Sequence, residues 1–148
     1  MVSEEQLARA DITIIDERTC LSGSIMDYNI LVDLHIDAVI NLKSEQHDDV
    51  WELTRRGIAY YWIPVVDWGA PRNDQIAVAL ELARAYPRVL IHCTQGRGRS
   101  ATIVAAILLE NNPTWTYENA WNFITAKRDK VTPTNIQRQK LVSYFPGR

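Results

Sequence analysis

Apolar and polar positions change their period along the chain in a way that predicts strands alternating with helices. Ile12 to Ile15 and Thr19 to Ser22 read as a short antiparallel pair. Ile25 to Leu34 has helical spacing, and Asp37 to Leu42 is a predicted buried strand. Asp48 to Arg56 is expected to form a polar helix with Val50 and Leu53 facing inward and Gly57 as its stop. Ile58 to Val65 follows as a strand rich in aromatic residues, with Tyr60, Tyr61 and Trp62 in sequence. Asn73 or Asp74 is the expected cap of a helix whose Ile76, Ala79, Leu80 and Ala83 form one apolar face. Pro87 breaks that helix before a buried strand from Arg88 to His92.

The next helix, Ser100 to Glu110, is apolar almost all round, which places it in the core rather than on the surface. Asn112-Pro113 ends it, and Thr116 is the expected cap of another helix with Tyr117, Ala120, Trp121 and Ile124 in one stripe. A last helix between Pro133 and Phe145 is anchored by Leu141, Tyr144 and Phe145. This alternation predicts an α/β fold with a central mixed, mostly parallel sheet of four or five strands flanked by helices. There is no internal repeat, linker or low-complexity segment, so residues 1–148 are expected to form a single domain.

Composition agrees. A chain of 148 residues with 47% hydrophobic content can bury about two-thirds of its unfolded surface without disulfide staples. The net charge of −2, from 16 basic and 18 acidic residues, gives no reason to expect nucleic acid or a bilayer as partner. No run approaches the length of a membrane span, and Met-Val-Ser-Glu-Glu-Gln-Leu lacks the basic and apolar regions of a signal peptide. A cytoplasmic monomer is the expectation. Two cysteines are too few for a disulfide scaffold and have no metal-ligand partners at useful spacing, so no metal is expected.

The candidate chemistry lies in His92 to Ser100, His-Cys-Thr-Gln-Gly-Arg-Gly-Arg-Ser. A thiol is reactive near neutral pH where positive charge, hydrogen-bond donors or a helix N-terminus favour its ionised form, and this stretch offers all three to Cys93. Five residues between Cys93 and Arg99 can curl so that the N–H groups of Thr94, Gln95, Gly96, Arg97 and Gly98 point at one centre, a concave nest for an oxyanion. The following helix adds its positive end. Arg99 can fork two hydrogen bonds onto two phosphate oxygens. Gly96 is expected to allow close backbone approach, and Gly98 to supply a dihedral that a side chain would strain. Burial of the following helix would fix the whole arrangement.

Cys-x5-Arg followed by Ser resembles the signature of the cysteine-based protein tyrosine phosphatases, and the short chain resembles their dual-specificity branch from about Ile14 to Phe145. The Gly-Arg-Gly-Arg-Ser-Ala-Thr ending is similar to the lipid-phosphate and mitochondrial-type members or their prokaryotic relatives. The resemblance implies a phosphatase-type phosphate loop between a strand and the buried helix, no cofactor, and hydrolysis of phosphoric monoesters through a phosphocysteine intermediate. Cys93 would be the nucleophile, Arg99 the phosphate clamp and Ser100 the hydroxyl that steadies the departing thiolate. His92 would support the thiolate's surroundings through backbone hydrogen bonds, against the reading of a satisfied core histidine. An aspartate on a loop ahead of the nucleophile serves the family as general acid; Asp67, 26 residues before Cys93 in Val-Val-Asp-Trp-Gly-Ala-Pro, matches it, with Asp74 as its competitor.

The substrate implied is a phosphorylated protein, lipid or small molecule. Family members acting on lipid phosphates often carry a basic residue where this chain has Arg97, so Arg97 either recognises a second anionic group or simply faces water. Of Tyr60, Tyr61, Trp62 and Trp68, Trp68 is the one expected to meet ligand. Gln137 and Gln139 read as solvated helix surface, with a water-ordering role as the alternative. Cys20 is either a small buried residue or a resolving thiol for oxidised Cys93. Two other classes remain open: a rhodanese- or arsenate-reductase-like cysteine enzyme, and a non-catalytic phosphate-binding module.

Overall fold

The computed structural model describes residues 1–148. Its centre is a five-stranded sheet in the order β1-β2-β5-β3-β4, made of β1 (Ile12–Ile14), β2 (Thr19–Ser22), β3 (Ala38–Lys43), β4 (Ala59–Val65) and β5 (Val89–His92). Only β1 runs antiparallel to its neighbour; β2, β5, β3 and β4 are mutually parallel. Parallel strands covered on both faces need apolar side chains in both directions, and the three inner strands have them. Leu21, Ile40, Leu42, Val89 and Ile91 enter the larger core, while Cys20, Val39 and Leu90, which alternate with them, enter the smaller one.

Helices α4 (Asn73–Ala85), α5 (Arg99–Asn111), α6 (Tyr117–Lys127) and α7 (Asn135–Tyr144) cover the larger core. Helices α1 (Glu4–Ala10), α2 (Asn29–Asp33) and α3 (Val50–Thr54) cover the smaller one. In α5 every residue from Arg99 to Leu109 is buried, as expected of a helix apolar on all sides. Each Leu or Ile so buried stabilises the fold by about 1.5–3 kcal/mol before entropy is counted. That burial fixes the position of the helix's first turn.

Several boundaries differ from the sequence reading for local reasons. Helix α1 carries little apolar periodicity and was not expected; a reciprocal capping box between Ser3 and Gln6 starts it. Helix α2 begins at Asn29 rather than Ile25. The backbone N–H of Ser24 is engaged by the Thr94 carbonyl at 2.9 Å, and the Asp27 carboxylate accepts from Asn29 N at 2.9 Å. Helix α3 is shorter than Asp48 to Arg56 because Asp49 is its cap and Asp48 is drawn away into the interior. The cap of α4 is Arg72, with Gln75 reaching back to its N–H, whereas Asn73 and Asp74 lie inside the first turn.

Candidate active site

The carboxyl ends of parallel strands collect functional residues in α/β sheets. Here β5 ends in His92 and delivers Cys93, β3 leads to Glu45, and β4 leads to Asp67. The central strand β5 is wholly buried, so Cys93 starts its loop from a fixed point; its residue is 3% exposed.

From Cys93 to Gly98 every carbonyl is tied on the outside of the turn. His92 Nδ1 faces the Cys93 carbonyl at 3.2 Å. Ser24 N donates to Thr94 O at 2.9 Å. Arg128 donates to Gln95 O through Nη2 at 3.0 Å and to Gly96 O through Nε at 2.9 Å. Thr132 N donates to Arg97 O at 2.9 Å, and Thr102 donates to Gly98 O through its N at 2.8 Å and its hydroxyl at 2.7 Å. A peptide unit whose carbonyl points out points its amide the other way, and none of the amides of Thr94 to Gly98 donates to an acceptor within the protein. Such a turn leaves its amides free to act together as a nest for an anion.

The two glycines divide the work differently from expectation. Gly96 carries the left-handed φ of 64° as well as the close approach: a β-carbon there would lie 2.5 Å from Arg128 Nη2 and 2.6 Å from Ser22 O. Gly98 has a φ of −138° and needs no special dihedral. Its missing side chain instead makes room for Gln137, whose Oε1 would be 2.6 Å from a β-carbon.

Cys93 Sγ lies 3.1 Å from Ser100 Oγ. Arg99, at the start of α5, has a side chain only 2% exposed. Glu45 grips it bidentately, with Nη1 to Oε1 at 2.7 Å and Nη2 to Oε2 at 2.8 Å, and Nη1 also donates to Val65 O at 3.0 Å. Burial works against the guanidinium's charge, but the Glu45 hydrogen bonds and the nearby Cys93 outweigh it and leave Arg99 held more firmly as a cation. In return the Arg99 hydrogen bonds, aided by Thr94, hold the Glu45 carboxyl well below the usual carboxylate range. Sequence reasoning missed Glu45. Its only signal was an acidic residue just past the carboxyl end of a parallel strand.

Asp67 Oδ1 lies 3.4 Å from Arg99 Nη2, with its side chain 61% exposed and lining the same cavity as Cys93. It sits in a turn closed by Gly69 N donating to Val66 O at 2.8 Å. Trp68 is the third residue of that turn with φ 67°, a place where glycine or asparagine is usual. Such a conformation in a bulky residue costs on the order of 1–3 kcal/mol. Asp74 is far less suited to the role: it is exposed, pairs with Arg72 at 3.0 Å and lies outside the cavity.

The remaining candidates separate cleanly. Arg97 is exposed, makes no ion pair and lines the cavity mouth. Gln137 is not solvated surface: it is 1% exposed, lines the cavity, and donates from Nε2 to Gly69 O at 2.9 Å. Gln139 is exposed, as expected. His92 Nε2 meets Asp48 Oδ2 at 2.6 Å, both side chains being buried, a partner that no local pattern announces. Cys20 belongs to the smaller core and Cys93 to the larger, on opposite faces of the sheet, which keeps Cys20 from acting as a resolving thiol for Cys93. Burial raises the Cys20 thiol above its ordinary value. No group of three or more potential metal ligands is present.

A buried cation, a loop of amides without partners in the protein and a cysteine in the same cavity suit transfer of a phosphoryl group to and from sulfur, the chemistry that defines the cysteine-dependent phosphatases. Within that class, residues 22–145 match the model of the dual specificity phosphatase catalytic domain, and the chain belongs to that family. A tyrosine-protein phosphatase, yvh1 of Schizosaccharomyces pombe, is 38% identical over 73 residues, which are 49% of this chain and 21% of that protein. The chain therefore spans only a fraction of that relative's length. Among solved structures, Tk-PTP in its active form is 27% identical with a TM-score of 0.79, covering 93% of this chain and 98% of its own. PTPMT1 in complex with PI(5)P shares the fold at 22% identity and a TM-score of 0.82, covering 90% and 94%. No helix is long and apolar enough to cross a membrane.

Proposed function

We propose that the chain hydrolyses phosphoric monoesters in two halves on Cys93, with residues 1–148 acting as one catalytic domain. The Cys93 thiolate attacks phosphorus in line, the ester P–O bond breaks, and Asp67 gives its proton to the leaving oxygen. Water then attacks the phosphocysteine, Asp67 takes a proton from it, and the P–S bond breaks to release inorganic phosphate. The amides of Thr94 to Gly98 and the Arg99 guanidinium hold the three non-bridging oxygens through both halves. Ser100 Oγ, 3.1 Å from Sγ, donates to the thiolate as it departs. His92 keeps the Cys93 carbonyl turned outward.

The observation that carries this reading is the set of outward ties on all six carbonyls from Cys93 to Gly98, which leaves their amides converging where a phosphate would sit. Phosphotyrosine, phosphoserine or phosphothreonine proteins and small or lipid phosphates all present the monoester required. The exposed and unpaired Arg97 at the mouth favours substrates with a further anionic group.

The test is hydrolysis of an aryl phosphate in the presence of chelator. Turnover should persist with chelator, fall to background for Cys93→Ser, and yield a phosphoryl adduct on Cys93 under rapid acid quench. Phosphate binding without turnover would make the chain a binding module instead. Thiosulfate-dependent cyanide turnover would move it to sulfur transfer.

A further inference from the structure

We infer that the fold holds a second anion site, in the crevice between the loops that follow β2 and β3, where Lys43, completed by Gln46 and His47, binds a small free oxyanion of the size of inorganic phosphate. That site is separate from the cavity of Cys93 and does not depend on the chemistry proposed for it.

Four basic residues are buried in the protein: Lys43, His92, Arg99 and Arg128. Three of them have a carboxylate. His92 meets Asp48 at 2.6 Å, Arg99 meets Glu45 at 2.7 Å and Arg128 meets Asp11 at 3.0 Å. Lys43 is 2% exposed and makes no ion pair; its Nζ donates instead to two neutral acceptors, Ser24 Oγ and Gln46 Oε1, each at 3.1 Å. An ammonium has three hydrogens to give, and the third finds no acceptor in the protein. Taking such a charge out of water is costly unless an opposite charge answers it. The missing partner is one that arrives from outside.

The place of Lys43 in the fold points the same way. The chain leaves β2 and β3 toward α2 and α3 on the smaller-core face, whereas β5 between them leads to α5 on the larger-core face. Connections that part to opposite faces open a crevice beyond the carboxyl ends of parallel strands, the usual seat of a ligand in such a sheet. Lys43 lines that crevice with Ser24, Gln46, His47, Asp48 and Asp49, none of which borders the cavity of Cys93.

Two further donors belong to it. The Tyr60 hydroxyl accepts from Asn41 Nδ2 at 3.0 Å and from Asp48 N at 3.2 Å, so its own hydrogen goes to His47 Nδ1, also at 3.0 Å. That leaves the ring hydrogen of His47 on Nε2, which has no partner in the protein, and Gln46 Nε2 is equally unused. Both carboxyl groups of the crevice are engaged elsewhere: Asp48 with the buried His92, and Asp49 with Glu52 N at 3.1 Å as the cap of α3. Ser24 N also holds the Thr94 carbonyl at 2.9 Å, and Gln46 follows Glu45, the partner of Arg99. The site therefore lies against two supports of the phosphate loop.

The experiment titrates the whole chain with inorganic phosphate and follows the His47 ring and the Gln46 side-chain amide by NMR, with sodium chloride at matched ionic strength as the control. Phosphate should move both signals along one saturable curve, and chloride should not. Lys43→Met keeps the apolar stem and removes the charge; it should weaken binding at the same signals at least about tenfold, while the amides of Gly96 and Gly98 respond to phosphate as in wild type. His47→Ala, an exposed substitution, should weaken binding about 3- to 10-fold at the Gln46 amide. Shifts that do not saturate, shifts that chloride reproduces, or a Lys43→Met curve equal to that of wild type would overturn the inference. If Lys43→Met does not fold, His47→Ala decides alone, and an affinity unchanged from wild type would overturn it.

Discussion

Two loops meet over Cys93, and they are held in opposite ways. The phosphate loop, Cys93 to Gly98, has every carbonyl tied by His92, Ser24, Arg128 and Thr132 or by Thr102 of the helix it opens, and Arg99 behind it is buried. The turn that carries Asp67 is exposed on one side, fixed to the rest of the protein through Thr134, Gln137 and the 3.4 Å contact with Arg99, and strained at Trp68. Binding a fixed dianion calls for donors that do not reorganise. Delivering a proton to leaving groups of different size calls for a carboxyl on a lighter tether. Stability and activity should therefore be coupled in the first loop and separable in the second.

The largest effect is expected from Gly96→Ala. The β-carbon would clash with Ser22 O and Arg128 Nη2 and would sit at an unfavourable φ. Activity on any phosphate ester should fall at least about 100-fold, with a loss of about 2–4 kcal/mol in denaturant unfolding. Full stability in an inactive Gly96→Ala would break the coupling.

Asp67→Asn should cost about 100-fold in kcat on an alkyl phosphate and much less on a phosphate with a good leaving group. Stability should stay within about 0.5 kcal/mol, as for other exposed substitutions. The measurement is a plot of rate against leaving-group basicity, which should steepen in the variant.

Gln137→Ala tests the tether itself. It removes the hydrogen bond to Gly69 O and one wall of the cavity, so kcat should fall several-fold while the melting temperature drops slightly. A loss as large as that of Asp67→Asn would mean that the two loops are equally rigid.

The smallest effect concerns Glu45, and its sign follows from the lowered carboxyl. A group whose pKa is depressed by folding adds stability above its unfolded value of about 4.3 and loses it as pH falls toward the folded value. Glu45→Gln should thus be less stable than wild type at neutral pH, by about 1 kcal/mol or less given the partial exposure. The gap should narrow below about pH 4. Paired urea titrations at neutral and acid pH would check it, and a gap that widens with acidity would contradict the Arg99 pairing.

What could be read from sequence alone follows the same division. Cys93, Arg99 and Ser100 lie within one turn, and Asp67 follows its strand directly, so each was legible from its neighbours. The sheet was legible because its strands alternate between two covered faces. Glu45, Asp48 and Arg128 were not. Each acts on the loop across 32 residues or more of chain, and an isolated charged residue carries no mark of the distant group it will meet. Gln137 was misread for a related reason. On its own helix it looks like one polar residue among several, and only the missing side chain at Gly98 makes space for it inside.

Arg128 has a consequence for how the protein comes into being. The carbonyls of Gln95 and Gly96 are captured by a residue 32 positions downstream of Gly96, and that of Arg97 by Thr132. As the chain emerges from the ribosome, the signature motif is therefore synthesised well before the groups that shape it. A nascent chain halted after α5 would contain Cys93, Arg99 and Asp67 and still lack the grip that turns those amides inward. Competence is acquired only once Arg128 and Thr132 have been made, and grafting the nine-residue motif into another scaffold would transplant the letters without the mould.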